Sequence, residues 1–112
     1  MPRELPTHLW VSALLRRASA AGAFGTIVHR GDADRGDVLL KVMRARGVAD
    51  LYAPAFNPDG PSEFERLVAE DEAAADALIA RRRGSDRDLW VVEVEDAAGR
   101  HFLTETVRPG AE

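Results

Sequence analysis

The chain of 112 residues contains no cysteine. That absence excludes disulfides, thiolate metal sites, iron–sulfur clusters and cysteine nucleophiles, and it fits a reducing compartment. Lysine is almost as scarce: of 15 basic residues only Lys41 is lysine, and the rest are arginine. Arg and Ala codons are GC-rich, so this bias, with abundant alanine, points to a GC-rich bacterial genome. Arginine clusters in such a chain are weaker functional signals than elsewhere. No apolar run approaches the ~20 residues of a membrane span. Leu9 to Leu15 contains Ser12 and runs straight into Arg16 and Arg17. The opening Met1-Pro2-Arg3-Glu4-Leu5-Pro6 is too polar for a signal peptide, so the expected location is the cytoplasm and no membrane contact is expected.

Recognisable catalytic grammar is missing as well. None of the four serines (Ser12, Ser19, Ser62, Ser85) sits in Gly-x-Ser-x-Gly, and there is no dinucleotide or Walker glycine loop. His8, His29 and His101 lack metal-ligand spacing, although the last two fall on expected strands and could meet across a sheet. Asp32-x-Asp34-x-Gly36-Asp37 resembles a calcium loop, but the bidentate Glu that such a loop needs at its twelfth position is Met43 here. It reads as an acidic turn, and Arg35-Gly36-Asp37 within it as a chance adhesion tripeptide. No metal and no cofactor are expected.

What is present describes a folded domain. Hydrophobic residues make up 46% of the chain, enough to build a core at this length. Residues 1–112 read as one domain, with 1–6 and 107–112 as loose ends. Thr7 is a candidate N-cap for a helix from about His8, with Trp10, Val11, Leu14, Leu15, Ala18 and Ala21 on its apolar side and Gly22 as its stop. From Ala23 the period drops to two. Strands are expected over 24–29, 38–43 and 50–56, the first two joined by a polar hairpin connection at 31–36. Asn57-Pro58-Asp59-Gly60 is a strong turn. Ser62 to Ala69 fits either a capping-box helix, through Ser62 and Glu65, or the return strand of that turn; the strand is preferred. A second helix is expected from about Asp71 to Arg83, stopped by Gly84. Leu89 to Glu95 is the best strand, with Trp90, Val92 and Val94 on one face and Trp90 as a core anchor. A short loop at Asp96-Ala97-Ala98-Gly99 then returns through Arg100 to Glu105.

The largest charge cluster is Arg81, Arg82, Arg83 and Arg87, the candidate ligand-binding residues of the sequence. They could grip a phosphate or a nucleic-acid backbone. The plainer expectation is a helix end whose arginines complement the dipole and pair with Asp86 and Asp88. A net charge of −4 opposes binding to a polyanion, and no aromatic residue is interleaved to stack on bases.

Asp86-x-Asp88-Leu89-Trp90-Val91-Val92-Glu93-Val94-Glu95-Asp96 and Gly99-Arg100-x-Phe102-Leu103 resemble a family of small, mainly alphaproteobacterial proteins, domain-of-unknown-function family number 1491. The opening Trp10 to Arg17, Phe24-Gly25 and Leu51-Tyr52 are similar too. Such proteins commonly carry Pro between the two aspartates, where this chain has Arg87, a difference that bears on the stiffness of the turn. The resemblance implies a bacterial, stand-alone, cytoplasmic α+β domain and no established activity, hence no catalytic residues. The expected fold is α+β, a single domain with a mostly antiparallel sheet of five or six strands and two helices packed on it. The expected function is a non-enzymatic interaction or accessory module, with an unknown protein partner or self-association. Two alternatives stand beside it: a nucleic-acid or phosphate-ligand binder through the Arg81–Arg87 cluster, and a small enzyme whose site the sequence does not display.

Overall fold

The change from a helical period to a period of two at Ala23 marks the first boundary of the fold. The computed structural model describes residues 5–110. Its elements are α1 (Thr7–Ala20), β1 (Phe24–His29), β2 (Val38–Ala45), β3 (Val48–Ala55), β4 (Glu63–Val68), α2 (Glu72–Ser85), β5 (Trp90–Glu95) and β6 (Thr106–Arg108). The six strands form one sheet in the order β1-β5-β2-β3-β4-β6.

The two helices cover opposite faces of that sheet. Along β2, Val38, Leu40 and Val42 pack with Trp10, Val11, Leu14 and Ala18 of α1. Leu39 points the other way and packs with Leu51, Ala53 and Ala75, the last from α2. A strand whose residues are apolar on both faces needs cover on both, and β2, β3 and β5 are such strands. Each fully buried Val, Leu or Phe contributes roughly 1.5–3 kcal/mol of transfer free energy, so these two layers carry the stability of the domain.

The sheet is mixed, which corrects the expectation of a mostly antiparallel one. β5 runs antiparallel to β1 but parallel to β2, from Val38 against Trp90 to Met43 against Glu95. β6 runs parallel to β4. Sequence-neighbour reasoning joins β1 to β2 by a hairpin, yet β5 lies between them. The physical reason is burial: β5 is apolar on both faces and gains most by entering the sheet interior. β1, with every second residue exposed, is left at the edge. The 31–36 segment is therefore a crossing over the start of β5. Asp32 N donates to Asp88 O and Trp90 N donates to Asp37 O. A β-carbon at Gly31 or Gly36 would collide with the Asp88 carbonyl oxygen, which explains glycine at both positions.

Local signals were otherwise close, with instructive departures. Thr7 is the first residue of α1, not its cap. Its Oγ1 donates to Gly36 O at 2.8 Å, and Thr7 N and His8 N donate to Asp34 O and Ala33 O, so the crossing segment satisfies the start of the helix. Residues 62–69 hold a strand, as preferred, because Phe64 is buried and stacks on Trp10 at 5.4 Å. α2 passes through Gly84 to Ser85, and its N-cap Asp71 accepts from Ala74 N. The expected return strand at 100–105 is absent; the chain instead crosses the α1 face and pairs as β6 on the far edge. Val107 and Arg108, placed in the loose end from sequence, belong to that strand, and Arg108 Nε donates to Glu63 Oε1. The expected loose ends at 1–4 and 111–112 lie outside the described residues.

Candidate functional site

Asp50 and Tyr52 alternate on the α1 side of β3 and are among the most buried polar side chains of the molecule, at 2% and 5% exposure. Asp50 Oδ1 accepts from Glu70 N at 2.8 Å, and Oδ2 lies 3.5 Å from Arg44 Nη2. The 97–105 segment lays His101 edge-on against Tyr52, centroids 5.1 Å apart, and His101 Nδ1 accepts from Leu103 N at 2.9 Å. Arg66 lies opposite Tyr52 on β4. Burial pushes the Tyr52 phenol up; the Asp50 charge and hydrogen bond add to the rise, while Arg66 and Arg44 oppose it. Burial pulls the His101 imidazole down, with Asp50 acting against it. The two non-glycine residues at positive φ among the described residues, Glu70 (56°) and Phe102 (62°), both flank this cluster. Phe102 is held there by Arg17, whose Nε and Nη2 both donate to its carbonyl oxygen.

This acid–phenol–imidazole group was not singled out from sequence, because its members are 51 residues apart along the chain and meet only where the 97–105 segment crosses the sheet. Its chemistry is that of a polar core held by its own partners: Asp50 by Glu70 N and Arg44, Arg44 by Asp50 and Glu70, and His101 Nδ1 by Leu103 N. A second ionic cluster lies on the α2 side. Lys41, 8% exposed, donates to Glu72 Oε2 at 2.9 Å and Asp76 Oδ1 at 2.8 Å, with Glu93 at 3.8 Å. Burial pulls its ammonium down, but the hydrogen bonds to Asp76 and Glu72 and the charges of Asp76 and Glu93 outweigh burial and leave it raised. Among the described residues, no group of three or more His, Asp or Glu converges to hold a metal ion.

Arg81, Arg82 and Arg83 occupy the last turns of α2 and are exposed, as is Arg87 in the connection to β5. The expected pairing with Asp86 and Asp88 is not formed among the described residues: Asp86 Oδ1 accepts from Asp88 N in its own turn. Arg83 turns instead to β1, with Nη2 3.1 Å from His29 Nδ1. His29 and His101 do not meet: His29 ends edge strand β1, and His101 lies in the 97–105 segment against Tyr52 of β3. The remaining feature is the β1 edge itself. Phe24 and Val28 are 63% and 54% exposed; Phe24 and Thr26, opposite Glu95 and Glu93, lie on the outer, α2-side face that α2 leaves uncovered, and Val28 sits at the register shift between Ile27 and His29.

The model of a family described as a protein of unknown function, DUF1491, matches residues 5–104. The chain belongs to the DUF1491 family. A crystal structure of a DUF1491 family protein from Caulobacter crescentus is 46% identical and superposes with a TM-score of 0.85, covering 92% of this chain and 98% of that one. An NMR structure of a DUF1491 family protein from the same organism is also 46% identical, with a TM-score of 0.83 over 94% of this chain and 97% of that one. A solution structure of a protein from A. tumefaciens is 31% identical, with a TM-score of 0.81 over 97% and 100%. No curated protein matches the chain. DUF1491 is thus an α+β domain of unknown function with bacterial relatives, and among the described residues no helix is long and apolar enough to cross a membrane.

Proposed function

We propose that this protein is a cytoplasmic, non-enzymatic interaction module that binds a partner by accepting an extended strand along β1. One observation carries the reading. β1 is a six-residue sheet edge with no charged side chain, and it displays Phe24 and Val28 to solvent. Sheet edges present unpaired N–H and C=O groups, and proteins ordinarily guard them with charge, proline or a covering element. Among the described residues, the guard on this edge is a register shift at Val28, between Ile27 and His29, toward the end of the strand. Strand addition uses such an edge: main-chain hydrogen bonds supply affinity and alternate side chains supply specificity. The burial of Asp50 and Tyr52 supports a non-enzymatic reading, because it keeps their reactive groups from an incoming substrate. The absence of cysteine fits the cytoplasm.

A selection from displayed random peptides tests this reading. Captured sequences should alternate apolar and polar residues, and their binding should be lost in Phe24→Glu and Val28→Lys, which charge exposed positions and leave the core intact. Binders indifferent to both substitutions would overturn it. The weaker reading, a polyanion site at Arg81, Arg82, Arg83 and Arg87, is supported by their exposure and by the lack of pairing with Asp86 and Asp88.

A further inference from the structure

We infer that the strand accepted along β1 is β1 of a second copy of this chain, related by a two-fold axis perpendicular to the sheet. The inference rests on the reading of β1 as a docking edge and names the occupant of that edge.

Directly opposed residues of an antiparallel pair project to the same face. A register centred on Thr26 sets Thr26 against Thr26 of the second copy and Phe24 against Val28 of the second copy, twice. Phe24 and Thr26 lie on the α2 side, and Val28 is exposed at the register shift beside them, so the pleat continues through the centre of the junction and the exposed valine of each copy comes beside the phenylalanine of the other. Threonine pairs and aromatic–β-branched pairs are both favourable across strands. A register centred between Thr26 and Ile27 sets Thr26, on the α2 side, against Ile27, which packs toward α1. It breaks the pleat, as any one-residue slip does. The strand is therefore complementary to itself in one register, and that register covers both exposed apolar side chains.

Charge on the α2 side makes the same selection. β1 begins beside Glu95, which pairs with Phe24, and Glu93, which pairs with Thr26. It ends at His29, over which Arg83 reaches, with Arg81 and Arg82 exposed on the same helix end. Asp86 is turned into its own loop by Asp88 N. A two-fold pairing lays the start of each β1 beside the end of the other. Glu95 of each copy then faces Arg83 of its neighbour, on the same side of a continuous twelve-stranded sheet made from two sheets of six. An unrelated strand with the same apolar alternation would not bring the arginines. Five residues per copy make a small junction, in the class of weak and transient contacts, with a dissociation constant that is micromolar or weaker.

Sedimentation velocity on the full chain tests this, from about 10 μM to about 1 mM at low salt. The wild type should shift from monomer toward dimer across that range. Val28→Lys and Phe24→Glu should hold it monomeric while circular dichroism stays unchanged. Glu95→Arg and Arg83→Glu should each weaken the dimer several-fold, and the double exchange should restore it, because the swapped charges again face each other. A wild type that stays monomeric at the highest concentration overturns the inference. So does a dimer that survives Val28→Lys, or one that the double exchange fails to rescue. The peptide selection above is a separate measurement, so a monomer that still captures strands at β1 removes the second copy and keeps the docking edge.

Discussion

Trp90 shows how much one residue holds. It is fully buried, its Nε1 donates to Asp32 O at 2.7 Å, and the Arg30 guanidinium lies 5.0 Å from its ring centroid. It anchors β5 in the core and ties the crossing segment to it. Trp90→Ala should cost roughly 3–5 kcal/mol and leave the domain largely unfolded. Trp90→Phe keeps an aromatic ring but deprives Asp32 O of its indole donor, and should cost about 1 kcal/mol more than the lost ring area alone. Urea denaturation distinguishes the two. His101 gives a pH-dependent prediction. Burial depresses its folded-state pKa below the ordinary 6.5. The unfolded chain therefore takes up a proton as pH falls through 6.5 while the folded chain does not, and stability should decline from there down to the folded value. In His101→Gln the part of the decline due to this residue should vanish from denaturation curves taken between pH 7 and pH 5.

At the scale of elements, Lys41 fastens α2 to the sheet. Its hydrogen bonds to Glu72 and Asp76 join β2 to the first turns of the helix, and Glu72 Oε1 also accepts from Gly47 N at 3.0 Å. The Lys41 hydrogen bond and then the Gly47 one hold the Glu72 carboxyl below its usual range. Lys41→Met should cost on the order of 1.5–3 kcal/mol, the worth of hydrogen bonds to charged groups, as read from guanidinium melts at neutral pH. The raised Lys41 pKa means its stabilisation is complete below 10.5 and is lost as pH climbs through the higher folded-state value. The other end of α2 behaves differently. Arg81, Arg82 and Arg83 are solvated, so each single neutralisation should change stability by less than ~1 kcal/mol. Titration against short DNA and RNA at moderate salt should show no binding. Micromolar binding that falls steeply with added salt and is lost on neutralising the three arginines would instead promote the polyanion reading.

For the whole molecule, stability rests on two apolar layers either side of one sheet, and the chain is sewn together by long-range contacts. Arg17 binds Phe102 across 85 residues, and Trp10 Nε1 donates to Glu105 Oε2 across 95. Both layers are built from apolar side chains, and among the described residues no group of three or more His, Asp or Glu could hold a metal ion. Chelator treatment should therefore leave the melting temperature unchanged, and a drop of several degrees, reversed by one particular metal, would show otherwise.

The sequence by itself determined the elements. Periodicity marked both helices and the strands β1, β2, β3 and β5, because a 3.6-residue or two-residue repeat is a local property. Trp90 could be placed in the core for the same reason, since Val92 and Val94 repeat its face. The position of β5 between β1 and β2 was not legible, because strand order depends on which edges best bury a doubly apolar strand, a comparison among segments more than 60 residues apart. Nor was β6, three residues long and without a period, or the meeting of Asp50 and Tyr52 with His101. Arg81–Arg83 were legible as a charge cluster, but the turn of Arg83 toward His29 rather than Asp86 was not. That choice follows from where α2 lies across the sheet, and the same placement leaves the outer face of β1 uncovered. The tertiary structure alone decided it, because a helix covers whichever strands its own apolar side chains reach, and those of α2 reach β2 and β3.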